Sequence, residues 1–230
     1  MFEKILEFLA TKEIYSETEV YYTPTFAGNM LLALLIVLLF IAMAAFSRNK
    51  KKMQAKQLAF SAMAVTLAVV TSFVKIVSLP FGGSITLFSM FFICLIGYLY
   101  GTKAGIITGI AYGFLQLILG PIVIHPLQLL LDYPIAFGCL GLAGIFANSK
   151  NGLIKGYLLG VTGRFLCHFI SGYLFFPMYV TPKGMNPVIY SLGYNATYIV
   201  PEAIATILLL LIPAIQNALR EVKRMANEVN

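Results

Sequence analysis

The stretch whose reading decides the fold is residues 27–52, AGNMLLALLIVLLFIAMAAFSRNKKK. Residues 27–46 carry no charge, and Arg48, Lys50, Lys51 and Lys52 follow directly. At about 1.5 Å per helical residue, some twenty apolar residues cross the ~30 Å hydrocarbon core of a bilayer. Basic clusters are held on the cytosolic side, so this segment should span the membrane with the N-terminus outside. Working outward, the same pattern predicts further spans at 58–79, 85–100, 104–119, 126–146, 153–176 and 188–215. Gly and Pro punctuate the boundaries, at Pro80, Gly82 and Gly83, at Gly101, and at Gly120 and Pro121. Of the sixteen Lys and Arg residues, eleven then fall on cytosolic segments and only Lys4, Lys12 and Lys183 fall outside. That asymmetry supports N-terminus out and C-terminus in.

Composition agrees. The 230 residues are 60% hydrophobic and 11% charged, with a mean hydropathy of +0.88. Soluble domains run about 45–50% apolar and about 25% charged, so a water-soluble enzyme and a disordered chain are both excluded. The net charge of +7 resides in short runs between apolar segments, which is topogenic rather than a nucleic-acid surface. Cys94, Cys139 and Cys167 lie far apart inside apolar runs, with neither metal-ligand nor disulfide spacing. The expectation is an all-α, polytopic membrane helix bundle. It divides into an outer interfacial segment (1–26), a first transmembrane helix (27–47), a cytosolic basic linker (48–55), a membrane core (56–216) and a cytosolic tail (217–230). Phe2, Ile5, Leu6, Leu9 and Ala10 are helically spaced, which predicts a short interfacial helix at the start.

Ionisable groups near the bilayer centre cost about 2.5–3.5 kcal/mol or more, so each needs a reason. Asp132, His168 and Asn195 sit at similar depth, about one and a half to two turns from the outer ends of three different spans. Tyr133, Phe175, Phe176, Tyr179, Tyr190 and Tyr194 cluster near that level. A few convergent polar groups within aromatic walls describe a small-molecule site. A carboxylate among π-faces suits a cationic or amine-bearing heteroaromatic ligand. The alternative is an interfacial aromatic belt with Asp132 as a helix cap. Arg164 and Glu202 both approach mid-membrane and are expected to form a buried ion pair that sets helix register. Lys75 can snorkel outward. Ser61, Ala64, Ala68 and Ser72 share one helix face, either for packing within the bundle or for docking another membrane protein.

No HExxH, GxSxG or Walker A motif occurs. Neither catalysis, a metal nor a cofactor is therefore expected, and any transport would draw its energy from a partner. A proton-coupled solo transporter, or a membrane enzyme using Asp132 and His168 as an acid–base pair, are the rival readings.

The segments LLLDYPIAFGCLGLAG (129–144), GRFLCHFISGYLFF (163–176) and PKGMNPVIYSLGYN (182–195) together resemble the ThiT family. These are the thiamin-specific substrate-binding subunits (S-components) of energy-coupling factor (ECF) transporters. The likeness covers roughly residues 56–220. It implies a six-helix core with an outward-facing vitamin pocket, to which the 27–47 helix is an addition. It also implies a membrane-embedded coupling subunit (T-component) and two cytosolic ATPases as partners. Carried over residue by residue, the ligand-contacting positions fall on Asp132, Tyr133, His168, Phe176, Tyr190 and Asn195. The family's small-residue docking motif falls on Ala64 and Ala68. The chain has no tryptophan, whereas the family commonly stacks the ligand on tryptophans. Phe176 and neighbouring tyrosines would take that place, which leaves a vitamin B6 form or a pyrimidine precursor as the second ligand reading.

Overall fold

The computed structural model describes residues 7–14, 20–31, 34, 38, 54–179 and 185–228. At the N-terminus, residues 7–9 are helical, but strands β1 (Ala10–Ile14) and β2 (Val20–Pro24) then pair antiparallel from Ala10↔Pro24 to Ile14↔Val20. Most of the expected interfacial helix, with Phe2, Ile5 and Leu6, lies outside the described residues, and from Ala10 the chain forms a hairpin. Its strands, ATKEI and VYYTP, are rich in the β-branched and aromatic residues that favour extended backbone. Thr25 Oγ1 accepts a hydrogen bond from Gly28 N at 3.2 Å, an N-cap for the helical residues 26–31. Most of the expected 27–47 span and nearly all of the basic linker lie outside the described residues.

Six apolar helices follow among the described residues between 54 and 211. Helix α1 (Gln54–Phe73) ends earlier than the 58–79 span predicts, because Val74, Ile76 and Val77 carry the chain into an extended hairpin. Strand β3 (Lys75–Ser78) pairs with β4 (Ser84–Thr86) around a single 3-10 turn at Pro80–Gly82. Helix α2 (Ser89–Tyr100) and α3 (Thr102–Ile118) are joined by Gly101 alone, whose φ of 90° requires a glycine. With only 12 residues, α2 is about 18 Å long. Its N-terminus therefore begins well inside the bundle.

Helix α4 (Pro126–Phe146) changes pitch along its length. An α-turn (Pro126–Leu130) widens into a π turn (Leu131–Ile135), returns to α (Ala136–Cys139) and tightens to 3-10 (Leu140–Phe146). Pro134 sits in the π turn, where its missing N–H removes an α-type bond. The tightened end packs against α2, α3 and α5 (Gly152–Tyr179) with glycine at the closest approaches. A Cβ on Gly113 would stand 2.6 Å from Tyr133 O, and one on Gly109 or Gly141 would overlap backbone atoms of the facing helix. Helix α6 (Pro187–Leu211) is capped by Asn186, whose Oδ1 accepts from Val188 N at 2.9 Å. The seventh expected span breaks at Ile212, where ψ is 123°, and α7 (Pro213–Asn227) begins. Its Ile215 and Leu219 pack against the core. Lys223 Nζ donates to Ala147 O at 2.9 Å and lies 4.1 Å from the Tyr98 ring centroid. The expected tail is thus a helix folded under the bundle.

Among the described residues, four helices are long and apolar enough to cross a membrane: Ala55–Phe73, Pro126–Phe146, Gly152–Phe176 and Pro187–Leu211. Ser89–Tyr100 and Thr102–Ile118 are shorter apolar helices. The core they enclose includes Met90, Ile93, Cys94, Tyr112, Leu140, Tyr157 and Ile199.

Candidate functional site: a polar cavity beneath the β3–β4 hairpin

A cavity of about 290 Å³ lies where α2 falls short, between the hairpin, α3, α4, α5 and α6. Asp132, Tyr133, His168, Phe176 and Asn195 all line it. The π turn carries Asp132 and Tyr133, with the close α3–α4 contact at Gly113 fixing its backbone. Asp132 Oδ2 accepts from Gln128 Nε2 at 2.7 Å, and Asp132 Oδ1 lies 3.0 Å from His168 Nδ1. Oδ1 is nevertheless buried without an aligned hydrogen-bond donor. Such an atom is costly unless something supplies the missing donor. Tyr133 OH accepts from Ile122 N at 2.9 Å, fixing the loop ahead of α4.

Asn195 is 2% exposed and braces two helices. Its Nδ2 donates to His168 O at 3.2 Å and Ser191 O at 2.9 Å, and its Oδ1 accepts from Tyr198 OH at 2.7 Å. A carbonyl oxygen has two lone pairs, and Tyr198 OH takes one of those on Oδ1. Phe176 meets Tyr194 edge-to-face at 5.3 Å. Tyr190 does not line this cavity. It lies one ring further out, stacked on Tyr194 at 6.2 Å, beside an apolar groove that shares Phe81 and Tyr194 with the cavity.

The hairpin is held over the cavity at two points. Tyr194 OH accepts from Gly83 N at 3.0 Å and donates to Pro80 O. At its base, the Glu202 carboxylate accepts from Thr86 Oγ1 (2.7 Å), Thr86 N (3.2 Å), Ser89 Oγ (3.3 Å) and Met90 N (3.3 Å). The expected Arg164–Glu202 ion pair is therefore not formed. Glu202, 3% exposed, caps the buried N-terminus of α2, where backbone N–H groups and the helix dipole favour a carboxylate. Arg164 turns into the cavity instead. Its Nε donates to His168 Nε2 at 3.3 Å and its guanidinium lies 4.4 Å from the Phe137 ring centroid.

Ala64 and Ala68 are 5% and 0% exposed, packed against the bundle core rather than on the outer face of α1. Gln128 and Tyr198 are cavity residues absent from the expected site, and Lys75, expected to snorkel outward, also lines the cavity. Gln128 had a legible signal, four residues before Asp132 on one helix face. Tyr198, three residues after Asn195 on α6, had the same kind of signal, whereas the place of Lys75 at the cavity depends on the hairpin. His125 lies at the start of α4, where its Nδ1 accepts from Leu127 N at 3.1 Å and its ring stacks on Phe175 at 4.8 Å. No group of three metal-ligating side chains occurs among the described residues.

Fold and site together define a multi-pass membrane protein whose helices enclose a polar cavity beneath a hairpin. Residues 58–221 match the family described as Thiamine transporter protein (Thia_YuaJ), and the chain belongs to that family. It is accordingly a transporter protein, not an enzyme. The Thiamine transporter ThiT of Bacillus subtilis (strain 168) is 39% identical over 158 residues, spanning 63% of this chain and 80% of that protein. A ThiT of Lacticaseibacillus paracasei is 38% identical over 104 residues, 38% of this chain and 51% of that one. Among solved structures, ThiT from Listeria monocytogenes superposes with a TM-score of 0.60 at 20% identity, covering 74% of this chain and 96% of that one. That likeness concerns the fold.

Proposed function

We propose that this chain is the high-affinity thiamin-binding subunit of an ECF-type importer. The observation that carries the reading is the Asp132 carboxylate, buried in an aromatic-walled cavity with Oδ1 awaiting a donor. Thiamin offers both a fixed positive charge and an amino donor. Asp132 takes the charge or donor, Tyr133 and Phe176 wall the rings, and His168 and Asn195 address the aminopyrimidine edge. Tyr190 contributes by backing Tyr194 and Phe176. Phe and Tyr faces attract a cation more weakly than Trp, so the carboxylate bears more of the recognition.

The ECF part of the reading rests on the missing energy source and on the family resemblance. The chain has no phosphate-binding loop, so a membrane-embedded coupling subunit and two ATPases would supply the driving force. Ala64 and Ala68 are inside the bundle, so docking on the coupling subunit passes to the exposed small residues of α1, Ala55, Ala59 and Ala62. The proposed orientation keeps the cavity outside and α7 in the cytosol, in line with the basic-residue asymmetry.

The test is calorimetric titration of purified, ligand-stripped protein with thiamin, pyridoxine and hydroxymethylpyrimidine in parallel. Tight binding of thiamin alone upholds the reading. Tight pyridoxine binding with weak thiamin binding would keep the subunit class and overturn the vitamin.

A further inference from the structure

We propose that Arg164 is a positioning residue that holds His168 as its Nδ1–H tautomer, so that the imidazole turns an N–H rather than a lone pair to the Asp132 side. The proposal rests on the binding-site reading above, which assigns Asp132 and His168 to the ligand. The Arg164 contact determines the tautomer. Arg164 Nε–H points at His168 Nε2 from 3.3 Å, and an arginine has no acceptor, so Nε2 must present its lone pair. On the other side, Nδ1 is 3.0 Å from Asp132 Oδ1. The single proton of the neutral ring therefore falls on Nδ1, on the side of Asp132. A doubly protonated ring would set Nε2–H against Arg164 Nε–H.

Arg164 is itself held for this task. Its guanidinium lies over the Phe137 ring at 4.4 Å, and no carboxylate lies within ion-pair reach among the described residues. A mid-membrane cation without an anionic partner has to be used. Its side chain lines the cavity, and its sharpest contact is the hydrogen bond to His168. The Nδ1–H is not aligned on Oδ1, which leaves that oxygen available to a ligand donor. The Nδ1–H tautomer thus removes acceptor–acceptor repulsion beside Asp132 without filling the position the ligand takes.

The chain offers an internal standard, because it has two histidines. At His125 it is Nδ1 that accepts, from Leu127 N at 3.1 Å, so the proton there is on Nε2. The two rings are expected to be opposite tautomers.

The experiment is 15N NMR of histidine-labelled, full-length, ligand-free protein in detergent, with His125→Gln to leave one signal. The expected result is Nδ1–H at His168. In Arg164→Met the proton should move towards Nε2, and thiamin affinity should fall about tenfold, the scale of one lost charge-assisted hydrogen bond. Arg164→Lys, which keeps a cationic donor, should restore part of both. An Nε2–H signal at His168 in the His125→Gln protein would overturn the proposal, and this arm stands even where Arg164→Met fails to fold. Lost affinity in Arg164→Met with the tautomer unchanged would overturn it as well, leaving a packing role only. Nδ1–H at His168 in a protein that binds no vitamin would uphold the positioning and overturn the thiamin reading.

Discussion

At the scale of single residues, the cavity is governed by which polar atoms are already occupied. Asn195 has spent both amide protons and one lone pair on the bundle, whereas Asp132 keeps one oxygen without an aligned donor. Substitutions at the two positions should therefore fail differently. Asp132→Asn should leave folding intact and weaken thiamin binding by roughly 10- to 100-fold, the range for a hydrogen bond to a charged group. Titration calorimetry on the monodisperse variant checks this. Asn195→Ala should lower thermal stability as well, since it strips Tyr198 OH and the His168 carbonyl of their partners. Arg164 and Glu202 give a third case. Residues that share an interaction show non-additive stability changes, and residues without one add. Glu202→Gln and Arg164→Met are expected to add within about 0.5 kcal/mol in a double-mutant thermal-stability cycle. Strong coupling would restore the ion pair that the structure replaces with two separate networks.

At the scale of elements, α6 carries the cavity floor and both anchors of the hairpin. Tyr194 holds the tip, Glu202 holds the base, and Asn195 lies between them in sequence. Tyr194→Phe keeps the ring against Phe176 but deletes the hydroxyl that joins Gly83 to Pro80. The hairpin should then open more often, and thiamin dissociation should accelerate several-fold, as read in a stopped-flow chase. Unchanged dissociation would mean that the hairpin does not limit release. The α3–α4 seam makes a different demand. Gly109 faces the Phe137 carbonyl with no room for a Cβ, so Gly109→Ala must push α4 away. Overpacking of this kind costs about 1–3 kcal/mol. The same shift would move the π turn that presents Asp132, so melting temperature and affinity should fall together.

At the scale of the whole molecule, α1 has one packed face and one exposed face. One face, with Ser61, Ala64, Val65 and Ala68, is buried in the bundle, and another exposes Ala55, Ala59 and Ala62. Ala64→Leu should destabilise the isolated protein in a melting assay, because its Cβ side is already packed. Ala59→Leu should spare folding and thiamin binding but impair co-purification with a coupling subunit. Normal assembly of that variant would remove this face from the docking surface.

Much of the protein is legible in local sequence. Charge-free stretches near twenty residues and their basic flanks determine a multi-pass helical protein, and polar and aromatic residues at one depth nominate Asp132, Tyr133, His168, Phe176, Tyr190 and Asn195, of which Tyr190 lies outside the cavity. These follow because transfer of residues into hydrocarbon is a sum over neighbours in the chain. Tertiary structure decided the rest. The β3–β4 hairpin, the partner of Glu202 and the place of Arg164 depend on which distant groups meet, and a buried carboxylate is satisfied as well by a helix N-terminus as by a guanidinium. The inward side of α1 is undetermined by hydropathy for a related reason. In lipid both faces of a helix meet apolar surroundings, so only packing chooses between them.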